Sequence, residues 1–124
     1  MRADSLLALR EAIAQQFPTE AARANERLEQ CGFSADAHII WLEEFCRSTT
    51  NSVAALDGAV VTAHLAFMAN QLARGDAEVR SAIDVAYVEP LLHGLKGDRK
   101  RWALALMPPN IKQLYVQMWG EPRF

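Results

Sequence analysis

Residues 80–95, RSAIDVAYVEPLLHGL, are apolar on almost every side of a helix, and a helix of that kind must be surrounded by other helices. Four polar side chains interrupt the stretch, Asp84, Tyr87, Glu89 and His93, with Pro90 among them. Gly75 closes what comes before, and Asp76 is placed to cap a new helix. The pattern predicts a helix from 77 to about 94, kinked near Pro90, at the centre of a bundle.

The rest of the chain supplies the neighbours. Leu6, Leu9, Ile13 and Phe17 fall at helical spacing behind an Asp4/Ser5 start, and Pro18 ends that helix. PTEAARANERLEQCG has proline and acid in front and Gly32 behind, a helix whose mostly alanine face makes it the expected weakest packer. SADA opens a helix over about 35–49 with Ile39, Leu42, Phe45 and Cys46 in one stripe, Trp41 at its edge and a frayed end at RSTTN. After the Asp57-Gly58 turn, Val61, Leu65, Met68 and Leu72 mark a helix over about 58–74. DRKRWALALM is a short helix, and Pro108-Pro109 starts a last one that presents Ile111, Leu114, Tyr115 and Met118 up to Gly120. Nothing alternates with period two, so strands are not expected. The fold class is all-α: six or seven helices in a single compact domain over 1–124, as an orthogonal bundle or a short stack of helix pairs.

Composition narrows the function classes. A chain of 124 residues, 51% apolar and 23% charged, buries about 70% of its unfolded surface and has no disordered tract. Its net charge of -2 offers no basic field for nucleic acid. No run approaches the ~18 apolar residues of a membrane span, and the N-terminal segment is amphipathic, unlike a signal peptide. A cytoplasmic protein is expected, with Cys31 and Cys46 reduced and serving as small buried hydrophobes. No Glu-x-x-His pair, P-loop or nucleophile elbow occurs, so neither metal nor cofactor is expected. His64, between apolar neighbours in VTAHLAFM, fits a hydrogen-bonded core histidine better than a ligand.

On the central helix, Asp84 follows Arg80 by four residues and Glu89 precedes His93 by four, so each acid has a potential partner one turn away. At about 100° per residue the two acids point roughly 140° apart. They either brace the Pro90 kink or line a recognition groove. The basic run KGDRKRW is a solvated helix start or a patch for an anionic partner. Aromatic residues gather near helix ends: Trp41 and Trp102 suit the core, whereas Trp119 suits core or interface equally, and Tyr87, Tyr115 and Phe124 complete the set.

Taken in order, WLEEFCRSTTNSVAALD, HLAFMANQLARGDAEVRSAIDVAYVEPLL and MPPNIKQLYVQMWG resemble a family of small helical bacterial proteins. Its members are uncharacterised domains found as candidate immunity proteins beside polymorphic toxins, including Rhs-type and type VI secretion effectors. The resemblance covers roughly residues 38 to 120, most specifically LARGDAEVRSAIDVAYVE. It implies a non-enzymatic antidote that binds a cognate toxin or effector C-terminal domain. The residues themselves nominate Asp84, Tyr87 and Glu89 for the interface, then Glu43, Glu44 and Asp57 near the turn, with Trp119 as an anchor. An adaptor or effector chaperone is the alternative, and a small hydrolase using the histidines and carboxylates comes after it.

Overall fold

Five of the seven α-helices begin at an aspartate that accepts from a free N–H or at a proline that has none to leave unpaired; the other two begin behind Ala37 and Lys96 with no side-chain cap. In a computed structural model, which describes residues 4–121, Asp4, Asp57 and Asp76 cap α1 (Ser5–Gln16), α4 (Gly58–Arg74) and α5 (Ala77–Ala82) by accepting from Leu7, Val60 and Val79. Pro18 and Pro109 stand at the first positions of α2 (Pro18–Gln30) and α7 (Pro109–Trp119), where the missing N–H costs nothing. With α3 (His38–Ala54) and α6 (Gly97–Leu106) this gives seven α-helices and no strand among the described residues. The protein is all-α.

Three helix boundaries differ from expectation, the first being the start of α3, which begins at His38 behind an uncapped Ala37 and not at SADA near residue 35. Where the composition of RSTTN suggests fraying, α3 continues to Ala54, because the buried stripe continues with it: Trp41, Leu42, Phe45, Cys46, Thr49 and Val53 all face inward. Ile39, expected in that stripe, is 40% exposed, and Trp41, expected at its edge, is buried. The central helix changes character. After Ala82 it becomes a π-helical segment, Ile83–Val88, and beyond Glu89 it breaks into turns well short of residue 94.

This π segment is the pivot of the packing. It lies against α3, α5 and α7, and Ile83, Ala86, Tyr87 and Val88 are fully buried. Phe45 stacks on Tyr87 with ring centroids 5.7 Å apart, and Phe17, the single residue joining α1 to α2, sets its ring edge-on to His64 at 4.6 Å and Phe67 at 5.4 Å. Burying one such ring contributes about 1.5–3 kcal/mol. α2, the expected weakest packer, lies along α3 with Ala21, Ala24 and Leu28 buried; its small side chains let the backbones come close. Arg10 ties α1, α2 and α3 together, donating to Ala35 O and Asn25 Oδ1 and lying 5.1 Å over the Trp41 ring. One core runs from Leu9 to Tyr115.

Candidate functional site

The candidate site follows from what Pro90 does to the end of the π segment. Proline has no N–H to donate, and its ring crowds the carbonyl one turn back. The chain widens before it, so that Glu89 N–H donates to Asp84 O at 2.9 Å, five residues away, and then turns through Leu91 N–H to Val88 O and His93 N–H to Pro90 O. Side-chain donors use carbonyls of the broken end. Trp119 Nε1–H donates to Glu89 O at 2.8 Å and the Cys46 thiol to Tyr87 O at 3.2 Å. Leu92 closes the break in the left-handed region, φ 71°, a conformation that costs a non-glycine residue about 1–2 kcal/mol. Its N–H donates to Thr50 Oγ1, and its buried side chain seals the core below.

Over the break lies a groove of about 360 Å³, whose lining includes Glu43 from α3, Val85, Glu89, Pro90 and His93 from the break, Lys100 from α6, and Tyr115 and Trp119 from α7. A second hollow of about 450 Å³ shares Glu43, Pro90 and His93 with it and adds Arg47, Thr50 and Asn51. Trp119 is 58% exposed and Val85 53%, so the rim offers apolar surface between carboxylates on one hand and Lys100 and His93 on the other. π segments and left-handed bulky residues gather at functional sites in proteins generally, and here the two adjoin one groove.

Three of the seven expected interface residues meet in this groove: Glu43, Glu89 and Trp119. Tyr87 does not, and the correction is clear, since it is fully buried with its hydroxyl inside the core. Asp84 is half-buried and is not among the groove's lining residues. Glu44 lies on the neighbouring face of α3, toward α2, where its Oε1 faces Arg27 Nε at 3.9 Å and Arg47 Nε at 3.5 Å. Asp57 is the cap of α4, accepting from Val60 N–H at 3.3 Å. Among the described residues no ion pair joins Asp84 to Arg80 or Glu89 to His93; the first pair runs into the π segment, and the second lies in the turns after it, where four-residue helical spacing no longer holds. Trp41 is in the core, Trp102 packs half-buried against it, and Phe124 lies outside the described residues. Cys46 is buried as expected, whereas Cys31 is exposed on the turn after α2.

Sequence reasoning missed a second polar constellation. Glu20, His64, Thr49 and Tyr87 form a chain through the core, with His64 Nε2 at 2.7 Å from Glu20 Oε2, His64 Nδ1 at 2.9 Å from Thr49 Oγ1, and Thr49 Oγ1 at 2.9 Å from Tyr87 OH. Burial lowers the His64 pKa, an effect that the hydrogen bond to Glu20 partly offsets, and burial raises that of Tyr87. A neutral His64 then fixes every direction. Its Nε2–H donates to Glu20, its Nδ1 accepts from Thr49, and Tyr87 O–H donates to Thr49. No donor or acceptor along the line is wasted.

Carboxylate, histidine and threonine in this order are the parts of a base-activated nucleophile, but Thr49 and His64 have 0% exposure and no substrate atom can reach the hydroxyl. Burial likewise pushes the Cys46 thiol up to about 12, so it stays protonated at neutral pH. Among the described residues no three His, Cys, Asp or Glu side chains are grouped as a metal site needs, and no helix is long and apolar enough to cross a membrane. What the surface does provide is an aromatic rim, two carboxylates and two basic groups around a groove.

No curated protein and no solved structure matches the chain. Residues 10–120 do match a family profile, from within α1 to the end of α7, and the chain therefore belongs to the family described as Domain of unknown function (DUF7674).

Proposed function

We propose that this domain works by binding another protein through the groove over Pro90, and that the partner is a toxin or effector C-terminal domain that it holds inactive. The observation that carries the binding reading is Trp119. Its indole is more than half exposed yet pinned by its hydrogen bond to Glu89 O. An exposed tryptophan held in one place loses little freedom when it docks, the property of an interface anchor. Glu43 and Glu89 flank it and favour a partner cleft that carries positive charge, with attraction raising the association rate. The antidote reading adds the sequence resemblance to immunity-like proteins. A non-enzymatic inhibitor needs only about 800 Å² of surface, some 20–30 residues, to mask an active site.

Calorimetric titration with the C-terminal domain of the protein encoded directly upstream, inactivated if toxic, tests the proposal. Nanomolar binding is expected, together with rescue of a bacterial host expressing the active domain. Trp119→Ala should weaken the complex at least a hundredfold while leaving the melting temperature nearly unchanged. Absence of heat at micromolar concentration and of rescue would reject the antidote role and leave the groove to an adaptor or effector chaperone.

A further inference from the structure

We infer that a second groove, between α2 and α3, binds an acidic peptide segment through a convergent arginine set. The groove measures about 370 Å³ and is lined by Arg23 and Arg27 from α2 and by Glu44, Arg47, Ser48 and Asn51 from α3. Glu44 faces both Arg27 and Arg47 through their Nε atoms, at 3.9 and 3.5 Å. One carboxylate oxygen thus lies between two guanidinium groups from different helices and draws them together by charge, and among the described residues the terminal nitrogens of neither are used in a hydrogen bond. Those terminal nitrogens form the planar fork that grips a carboxylate through two hydrogen bonds.

The occupant follows from charge and length. Arg23, Arg27 and Arg47 against Glu44 and Glu26 leave a single net positive charge in the groove, which one carboxylate neutralises. From Arg23 to Gln30 the groove runs seven residues of helix, about 10 Å, room for three extended residues. The denser basic run on α6 makes a useful contrast. Arg99 is taken up by Asp98 and Ala54 O, and Lys100 turns to the other groove, so that run does not converge. Arg47 and Asn51 line both this groove and the hollow beside Pro90, so a peptide here would be continuous with a partner docked there.

A capped Gly-Glu-Gly tripeptide is the probe, followed by NMR of the intact domain at low ionic strength, with inorganic phosphate and a neutral peptide of equal length in parallel. Saturable shifts at the Arg27 and Arg47 Nε–H groups are expected, absent with the neutral peptide. Arg27→Gln with Arg47→Gln should weaken binding at least tenfold, and Trp119→Ala should leave it unchanged, which separates this site from the toxin-binding proposal. Both arginines are largely exposed, with side chains 48% and 60% accessible, so the fold should tolerate their loss; an unchanged melting curve verifies it. Three outcomes overturn the inference: no saturation, equal shifts at Lys96, Arg99 and Lys100, or phosphate binding as tightly as the peptide, which would mean a plain anion site.

Discussion

The buried chain from Glu20 to Tyr87 and the open groove over Pro90 draw on the same stretch of backbone and treat polar groups in opposite ways. Inside, Tyr87 gives its only hydrogen to Thr49, and each member of the chain is matched one to one. Outside, Glu89 shares its carbonyl with Trp119 and leaves its carboxylate facing the groove. A closed network at low dielectric secures a unique packing, whereas an open set of charges on a rigid frame leaves interaction capacity for something else. The π turn links the two: it directs Tyr87 inward and allows the chain to end at Pro90 with carbonyls available on the groove side.

The difference should show first in stability. Thr49→Val keeps the shape but removes the hydroxyl between His64 and Tyr87, leaving two buried groups unpaired. The expected loss is about 2–4 kcal/mol, read as a drop of roughly 10 °C in Tm. Tyr87→Phe leaves only Thr49 short of a donor and should cost about 1–2 kcal/mol. If Thr49→Val melts like the wild type, the chain is not holding α3, α4 and the π segment together, and the contrast fails.

The same contrast has a pH signature. Burial holds the His64 pKa below its ordinary 6.5, so the folded protein keeps the imidazole neutral while the unfolded chain protonates it. Stability from this group is therefore complete above 6.5 and is lost as pH falls below it through the folded value. The slope approaches about 1.4 kcal/mol per pH unit at most. Denaturant titrations between pH 7 and 5 should show the wild type losing stability faster than His64→Gln, whatever the variant's own baseline. Parallel curves would mean that His64 titrates alike in the folded and unfolded chain, and a wild type that gains on the variant as pH falls would mean that the imidazole is charged in the fold.

In the groove the ordering reverses. Trp119→Ala and Glu89→Gln should each change stability by less than about 1 kcal/mol, since the first removes a half-exposed ring and the second keeps the volume of its side chain. Their effect belongs to binding. A loss from Trp119→Ala as large as that of Thr49→Val would make Trp119 a core residue with an exposed edge and remove the anchor.

The parts of this organisation that are legible in the sequence are those set by local signals. α4 begins and ends where Asp57-Gly58 and Gly75 place it, and Gly75 is needed there for space, since a Cβ would meet Val79 Cγ1 at 2.5 Å. Trp119 and Glu89 stand out as an aromatic near a chain end and an acid among apolar residues. The inward turn of Tyr87 is not legible, because its place depends on the i to i+5 bonding that Pro90 imposes and no 3.6-residue pattern describes. Thr49 is hidden in RSTTN, which has the composition of a frayed end although its spacing from Phe45 and Val53 continues the core stripe. The arginine groove joins Arg27 to Arg47 across a helix–helix contact, a relation that no local spacing encodes.

The end of α3 gives the smallest test and sharpens the comparison, because it lies beyond Thr49 on the same helix. Leu56 N–H bonds to Val53 O and Asp57 N–H to Ser52 O, the paired closure of a helix that usually has glycine in the left-handed position. Gly32 does so at the end of α2, φ 76°, whereas at α3 the position is filled by Leu56, φ 56° and 46% exposed. Little packing holds that leucine, so Leu56→Gly should remove strain faster than it adds freedom to the unfolded chain. The net expectation is a gain of about 0.5–1 kcal/mol. Leu92 has the same backbone conformation but is buried, so glycine there would open the core and destabilise. Introduced into Thr49→Val, Leu56→Gly should add the same increment as in the wild type, since the two sites share no partner. An increment that vanishes in the double variant would show that the last two turns of α3 are held by the buried chain itself, and that its reach extends to the helix end.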